Sequence, residues 1–275
     1  MMKDNLIKSY RFFRALSLDI VIGAVLFSAF VARVFNTSVP EIIYVELAIA
    51  VWCIYTWDHL KDAKERGDHS LTFRHQFHKK HARILFLTFL LLLIAGASLV
   101  FFLPISTVYM GVAISIFVLM YFLIIHFYPT FYHKETLIAV LYGLGIFLGP
   151  VSCMEVFAGM ELICYLIYTM LIAFTNLMIF SEFERESDQA NGFPSLAIKL
   201  GRHSRLLIAT ILIIQFISLT VFYVTFSIST EIFSCFTLMN AVLALVYFGK
   251  KQSLKSEYYR ILGDGIFFIP VVFLI

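Results

Sequence analysis

Apolar runs of about 18 to 24 residues follow one another along almost the whole chain, parted only by short polar links. A run of that length cannot leave its backbone N–H and C=O groups unpaired in hydrocarbon, so it is driven to a membrane-spanning helix. Hydrophobic residues make up 61% of the 275 positions and charged ones 14%, against roughly 45–50% and about 25% in soluble globular proteins. The chain therefore reads as one all-α integral membrane domain over residues 1–275, with no length left for a soluble unit. A net charge of +3 gives no reason to expect nucleic acid as a partner. Cys53, Cys153, Cys164 and Cys235 sit in or beside apolar runs without a CxxC pair, which points to buried free thiols.

Hydropathy predicts about nine spans, near residues 15–35, 41–58, 84–103, 105–127, 136–157, 161–181, 205–226, 231–249 and 259–275. The first follows Lys3, Lys8, Arg11 and Arg14 and resembles a signal peptide in its flank, but its length and the eight runs behind it make it an uncleaved helix. Cytoplasmic loops retain Lys and Arg. With the N-terminus inside, every one of the 21 basic residues except Arg33 falls in an inner connection, and removing any one span would scramble the pattern. The expectation is a cytoplasmic N-terminus and an outer C-terminus. Compactness and the lack of a transit peptide suggest a bacterial inner membrane.

Two span ends carry paired acids. The second runs out through Trp57, Asp58, His59, Leu60, Lys61 and Asp62; the sixth through Glu182, Glu184, Glu186 and Asp188. Asp58/Asp62 and Glu184/Asp188 are each four residues apart, hence on one helical face. Like charges so placed repel each other and are costly beside lipid, so a compensating cation is the natural partner. Mg²⁺ suits carboxylates that share it with phosphates and water, and four acids from two facing helices have the capacity for two ions. The plainer reading of either pair alone is solvated charge at a membrane edge.

The run from Glu184 to Gly201, with Asp188, Gly192, Ser195, Leu196 and Gly201 in register, resembles the second signature of UbiA-type intramembrane prenyltransferases, a DxEGDxxxGxxTLxxxLG-like pattern. Asp58 and Asp62 are similar to the final DxxxD of that superfamily's first signature, NDxxDxxxD, and Tyr132-His133-Lys134 to its Lys-bearing link. The resemblance implies a nine-helix bundle with both signatures on the cytoplasmic face. Departures are clear: Ile54 and Tyr55 stand where the family has Asn-Asp, Glu184 replaces an Asp, and the basic tail after the first acids is replaced by Ser70 to His81.

What the resemblance implies chemically is an isoprenoid diphosphate donor, its tail among the helices and its diphosphate at the inner interface. Mg²⁺ on Asp58, Asp62, Glu184 and Asp188 would stabilise the leaving diphosphate, and a hydrophobic acceptor, aromatic or lipid-like, would capture the allylic cation. Arg74, Lys134 and Lys199 are the expected phosphate contacts, although any one basic residue on this face also serves as an orienting charge or headgroup partner. A terpene cyclase would ionise the same donor.

Other features have plainer readings. Asp19, Asn176 and Asp264 lie within or at the ends of spans and are candidates for the site or for interhelical hydrogen bonds. Gly145 and Gly149 form a GxxxG step expected to let helices approach. His75, His78 and His81, with His59 and His69 nearby, raise an iron oxidase, but too few histidines lie elsewhere to complete such a centre. A transporter is disfavoured because Glu46, Gln215 and Asn240 form no evident relay at mid-membrane.

Overall fold

The computed structural model describes residues 11–65, 73–156, 159–190, 192–226, 228–249 and 258–274. Lys3, Lys8, Arg66, His69, Ser70, Asn191, Lys250, Lys251 and Lys255 lie outside the described residues. All regular structure described is helical: α1 (Leu18–Val34), α2 (Glu41–Glu65), α3 (Phe73–Lys80), α4 (Ala82–Leu99), α5 (Ile105–Phe127), α6 (Lys134–Cys153), α7 (Gly159–Ala190), α8 (Leu196–Leu200), α9 (His203–Phe226), α10 (Thr230–Phe248) and α11 (Tyr258–Gly265), which passes into a 3₁₀ segment, Ile266–Phe273.

A helix lies over each of the nine apolar stretches. Six of them, α4 to α7, α9 and α10, are long and apolar enough by length and composition to cross a bilayer. The other three differ for identifiable reasons. Helix α1 has 17 residues. Helix α2 has 25, but its last turns carry Asp58, Lys61, Asp62 and Lys64. The final stretch stays α-helical for eight residues and then tightens to 3₁₀ around Pro270, which has no N–H for the α-helical ladder.

Packing closes around an inner set of helices. Helix α1 packs on α2, α6 and the 3₁₀ segment; α7 packs on α6, α9 and α10; α10 returns to the 3₁₀ segment. At the centre Phe27 is fully buried, with Phe236 and Phe267 at ring-centroid distances of 6.1 and 6.3 Å. Helices α4 and α5 lean on α2 and α6 from outside and turn residues such as Leu91, Ile94, Leu119 and Leu123 outward, as lipid-facing helices do. Since lipid is as apolar as these side chains, polar contacts and close packing must select the partners. Tyr168 of α7 donates to the Gln215 carbonyl of α9 at 2.9 Å and accepts from Asn240 of α10, while Gln215 donates to Thr175 at 3.1 Å. The mid-membrane polar residues thus tie three helices together.

The GxxxG expectation needs correction. A Cβ on Gly149 would lie 2.9 Å from Ile43 of α2, whereas one on Gly145 would meet nothing within 4 Å. The second close approach on α6 is Gly143, against Met170 of α7. One helix meets two different partners on two faces, so the small residues it needs are not one turn apart.

Candidate functional site

Helices α2 and α7 continue past the apolar stretches, to Glu65 and Ala190, so both acidic pairs lie on helix and the four-residue spacing does put each pair on one face. Asp58 and Asp62 are partly buried and interact electrostatically, with Lys134, Arg74 and Lys61 also close enough to act on Asp58. Tyr55, in place of an acid one turn earlier, lies within electrostatic reach of Asp58, Asp264 and Asp19. The buried Tyr121 of α5 faces Asp58, Asp62 and Glu135.

On α7 the acids divide their work. Glu182 is buried and accepts from Ser204 at 2.6 Å and from Arg205 Nε at 2.7 Å, with Arg185 3.4 Å away. Arg185 in turn donates to the Gly201 carbonyl at 2.7 Å. These contacts fasten the 192–202 connection to the end of α7. Within that connection Ser195 caps α8 by accepting from Ile198 N, and Gly192 and Gly201 take φ of 72° and 56°, left-handed backbone that other residues adopt only at a cost. The glycine and serine positions of the motif are therefore those its turn requires.

Glu184 Oε1 accepts from Tyr259 OH at 2.7 Å and Arg260 Nε at 2.7 Å, so the third expected acid is already ion-paired to α11. Asp188 is buried at the helix end.

Arg74, on the short helix α3, is the residue the two acidic helices share. It acts electrostatically on Asp58 of α2, Glu184 of α7, Asp19 at the start of α1 and Asp264 of α11. Burial, and then the nearby Arg260 guanidinium, hold its pKa below the usual arginine value; arginine keeps its charge regardless. Its backbone is fixed by the His78 ring, whose Nδ1 donates to the Arg74 carbonyl at 2.9 Å. Lys134 opens α6 beside Asp58. Lys199 is exposed and donates to His133 Nε2 at 2.8 Å, which sets it next to the Lys134 turn. Asp19 lies 3.8 Å from Arg14, and Asp264 is hydrogen-bonded by Asn176. All the expected site residues thus belong to one end of the bundle.

Two residues carry more weight than their sequence positions announce. Arg260 reads from sequence only as an orienting charge, although its spacing of four from Asp264 was a signal. Glu135 follows Lys134 directly; it is buried and accepts from Leu196 N at 3.3 Å, which pins the start of α8 to α6.

Among the described residues no three His, Cys, Asp or Glu side chains come close enough together to hold a metal ion. The iron reading therefore has no support there. The donor set does suit Mg²⁺ of another kind, since that ion keeps its waters and is bound by one or two carboxylates together with substrate phosphates, not by an all-protein cage. Asp58 and Asp62 offer such a pair, with Lys134, Arg74 and Lys61 close enough to act on Asp58.

The UbiA prenyltransferase family model matches residues 55–262, well over half the chain. The chain belongs to the UbiA prenyltransferase family. Among solved structures, a UbiA homologue from Aeropyrum pernix in its apo form is similar at TM-score 0.67 and 14% identity, covering 94% of this chain and 96% of its own. A UbiA homologue from Archaeoglobus fulgidus bound to GPP and Mg²⁺ follows at TM-score 0.61 and 12% identity, with 95% and 98% covered. A digeranylgeranylglyceryl phosphate synthase gives 0.58 and 17%, with 99% and 98% covered. At these identities the structures share the UbiA fold with this chain. No curated protein sequence matches it. Family membership accords with an integral membrane protein and with prenyl transfer as its general activity.

Proposed function

We propose that this UbiA protein transfers a prenyl group from an isoprenoid diphosphate to a hydrophobic acceptor, aromatic or lipid-like, in a Mg²⁺-dependent reaction. The observation that carries the proposal is Arg74, which acts on acids of both α2 and α7, so that one diphosphate between those helices would meet carboxylates from two sides and a cation between them. Asp58 and Asp62 of α2 would hold one Mg²⁺ and Asp188 of α7 a second, each shared with the diphosphate, with Glu184 joining Asp188 only by sharing its bond to Arg260. When bound, Mg²⁺ neutralises diphosphate charge and so favours its departure.

The chain's own residues do the rest. Arg74, Lys134 and Lys199 bind phosphate oxygens and stabilise the charge that grows on them as the C1–O bond breaks. The Glu182 and Glu135 contacts hold the 192–202 connection in place against α7 and α6, and the apolar bundle excludes water from the allylic cation. The acceptor nucleophile forms the new bond to C1 and releases its proton. The proposal includes a single domain of nine spans with its N-terminus inside and this end of the bundle at the cytoplasmic face of a bacterial inner membrane, a reading supported by the retention of Lys and Arg in the inner connections.

The test is thermal unfolding of the detergent-purified protein with Mg²⁺ and a non-hydrolysable geranylgeranyl diphosphate analogue, separately and together, in wild type and Asp62→Asn. A ligand of the native state raises its stability. Stabilisation that needs both ligands and is absent from the variant is the expected result; no stabilisation with analogues of several chain lengths would refute the reading.

A further inference from the structure

Glu135, the second residue of α6, is 4% exposed, and its two carboxylate oxygens are in unlike positions. Oε1 accepts from Leu196 N at 3.3 Å, whereas Oε2 is buried and has no hydrogen-bond partner among the described residues. A buried carboxylate oxygen is costly unless a donor or a cation faces it. We propose that Glu135 is a positioning residue for the Mg²⁺ of Asp58 and Asp62, its Oε2 accepting a hydrogen bond from a water on that ion. The inference rests on the donor and metal reading above.

Three observations point to a hydrated cation there. The first is place. Tyr121 of α5 is buried, and Asp58, Asp62 and Glu135 all act electrostatically on its phenol, while Lys134, one residue before Glu135, acts on Asp58. Glu135 therefore stands at the wall of the α2 pair, and its bond to Leu196 N fixes the carboxyl group so that Oε2 is held ready. The second is what α2 lacks. The face that carries Asp58 and Asp62 continues one turn back to Ile54, a hydrocarbon side chain with no oxygen to offer. An ion held by two carboxylates keeps several waters, and those waters need acceptors. The third is reach. Among the described residues no three acids are close enough to share an ion directly, so Glu135 acts through a water and not as a ligand, as carboxylates around a metal's ligand shell do. Lys134 and Glu135 thus set a group for phosphate oxygens beside a group for the ion's water, the two needs of a Mg²⁺ diphosphate.

The experiment is a titration of the full-length, detergent-purified protein with Mn²⁺ in the presence of the geranylgeranyl diphosphate analogue. Mn²⁺ suits the same oxygen ligands as Mg²⁺, and electron paramagnetic resonance reads its unbound fraction. The ion in question is the one that wild type binds and Asp62→Asn loses. Glu135→Gln keeps an amide oxygen for Leu196 N but removes the charge, so it should bind that ion about ten- to hundredfold more weakly, with the Tm of the ligand-free protein unchanged. Should that Tm also fall, Ile54→Asn in the same background, which puts an oxygen on the Asp58 face, decides the matter. Recovery of the ion upholds the proposal; no recovery overturns it, since Glu135 would then only hold α8. Wild-type affinity in Glu135→Gln overturns it too, while leaving the donor site intact. If wild type binds no Mn²⁺ that Asp62→Asn loses, the metal reading itself fails, and this inference with it.

Discussion

Glu182 is 2% exposed and is approached by Ser204, Arg205 and Arg185, so the loss of its charge would leave a buried clasp without its centre. Removing an acceptor from a buried, charge-assisted bond costs about 1.5–3 kcal/mol. Glu182→Ala should therefore lower thermal stability by that order, while Arg205→Ala, whose side chain is 57% exposed, should cost about 1 kcal/mol or less; equal effects on Tm would mean the clasp is not organised around the glutamate. The ion pair of Glu184 with Arg260 leads to a different expectation. Arg260→Met frees Glu184 from its partner but strips the site of a cation, so donor-dependent stabilisation should fall even if Mg²⁺ alone binds better. A calorimetric titration with each ligand separately distinguishes the two effects.

At the scale of elements, the close approaches of α6 yield the cleanest contrast. Gly149→Leu would push a side chain into Ile43, 2.9 Å from where its Cβ must sit, and overpacking of this kind costs about 1–3 kcal/mol. Gly145→Ala, with open space at its Cβ, should be neutral or stabilise the helix by up to about 1 kcal/mol. Thermal unfolding of the two variants in one detergent checks both; similar losses would mean that Gly145 also meets a partner in the bilayer. The same residues mark what sequence can and cannot disclose. The helices were legible because an apolar run in lipid has no alternative to helix, and the acidic faces were legible because a spacing of four is a property of the helix itself. Which of two glycines touches a neighbour, or that Glu184 is ion-paired to Arg260 from a segment 76 residues on, depends on the packing angle between helices. Local spacing carries no record of that angle. The break of the last stretch into 3₁₀ was half-legible, since Pro270 was in view but the turn it selects was not.

For the whole molecule, the distribution of charge and the convergence of the site make one joint demand on orientation. Arg74, Lys134, Arg260, Asp58 and Glu184 act on one another and so occupy one end of the bundle. Among the described residues, basic side chains outside the spans such as Arg14, Lys61, Arg185 and Lys199 gather at that same end, with Arg33 apart, 3.8 Å from Glu231 at the start of α10. If retained positive charge decides the topology, the proposed diphosphate site must face the cytoplasm, where Mg²⁺ is available. Single cysteines in a cysteine-free background, probed with an impermeant maleimide on intact cells, test this directly. Lys79→Cys, Gln189→Cys and His203→Cys, all at exposed positions, should label only after the membrane is opened, whereas Glu155→Cys and Thr230→Cys, exposed at the opposite end, should label at once. The reverse pattern would invert the bundle and place the acids outside. A mixed pattern would change the number of crossings, because any helix that fails to span exchanges the sides of every connection after it, while the contacts that join α2, α7 and α11 at the site hold those three ends together.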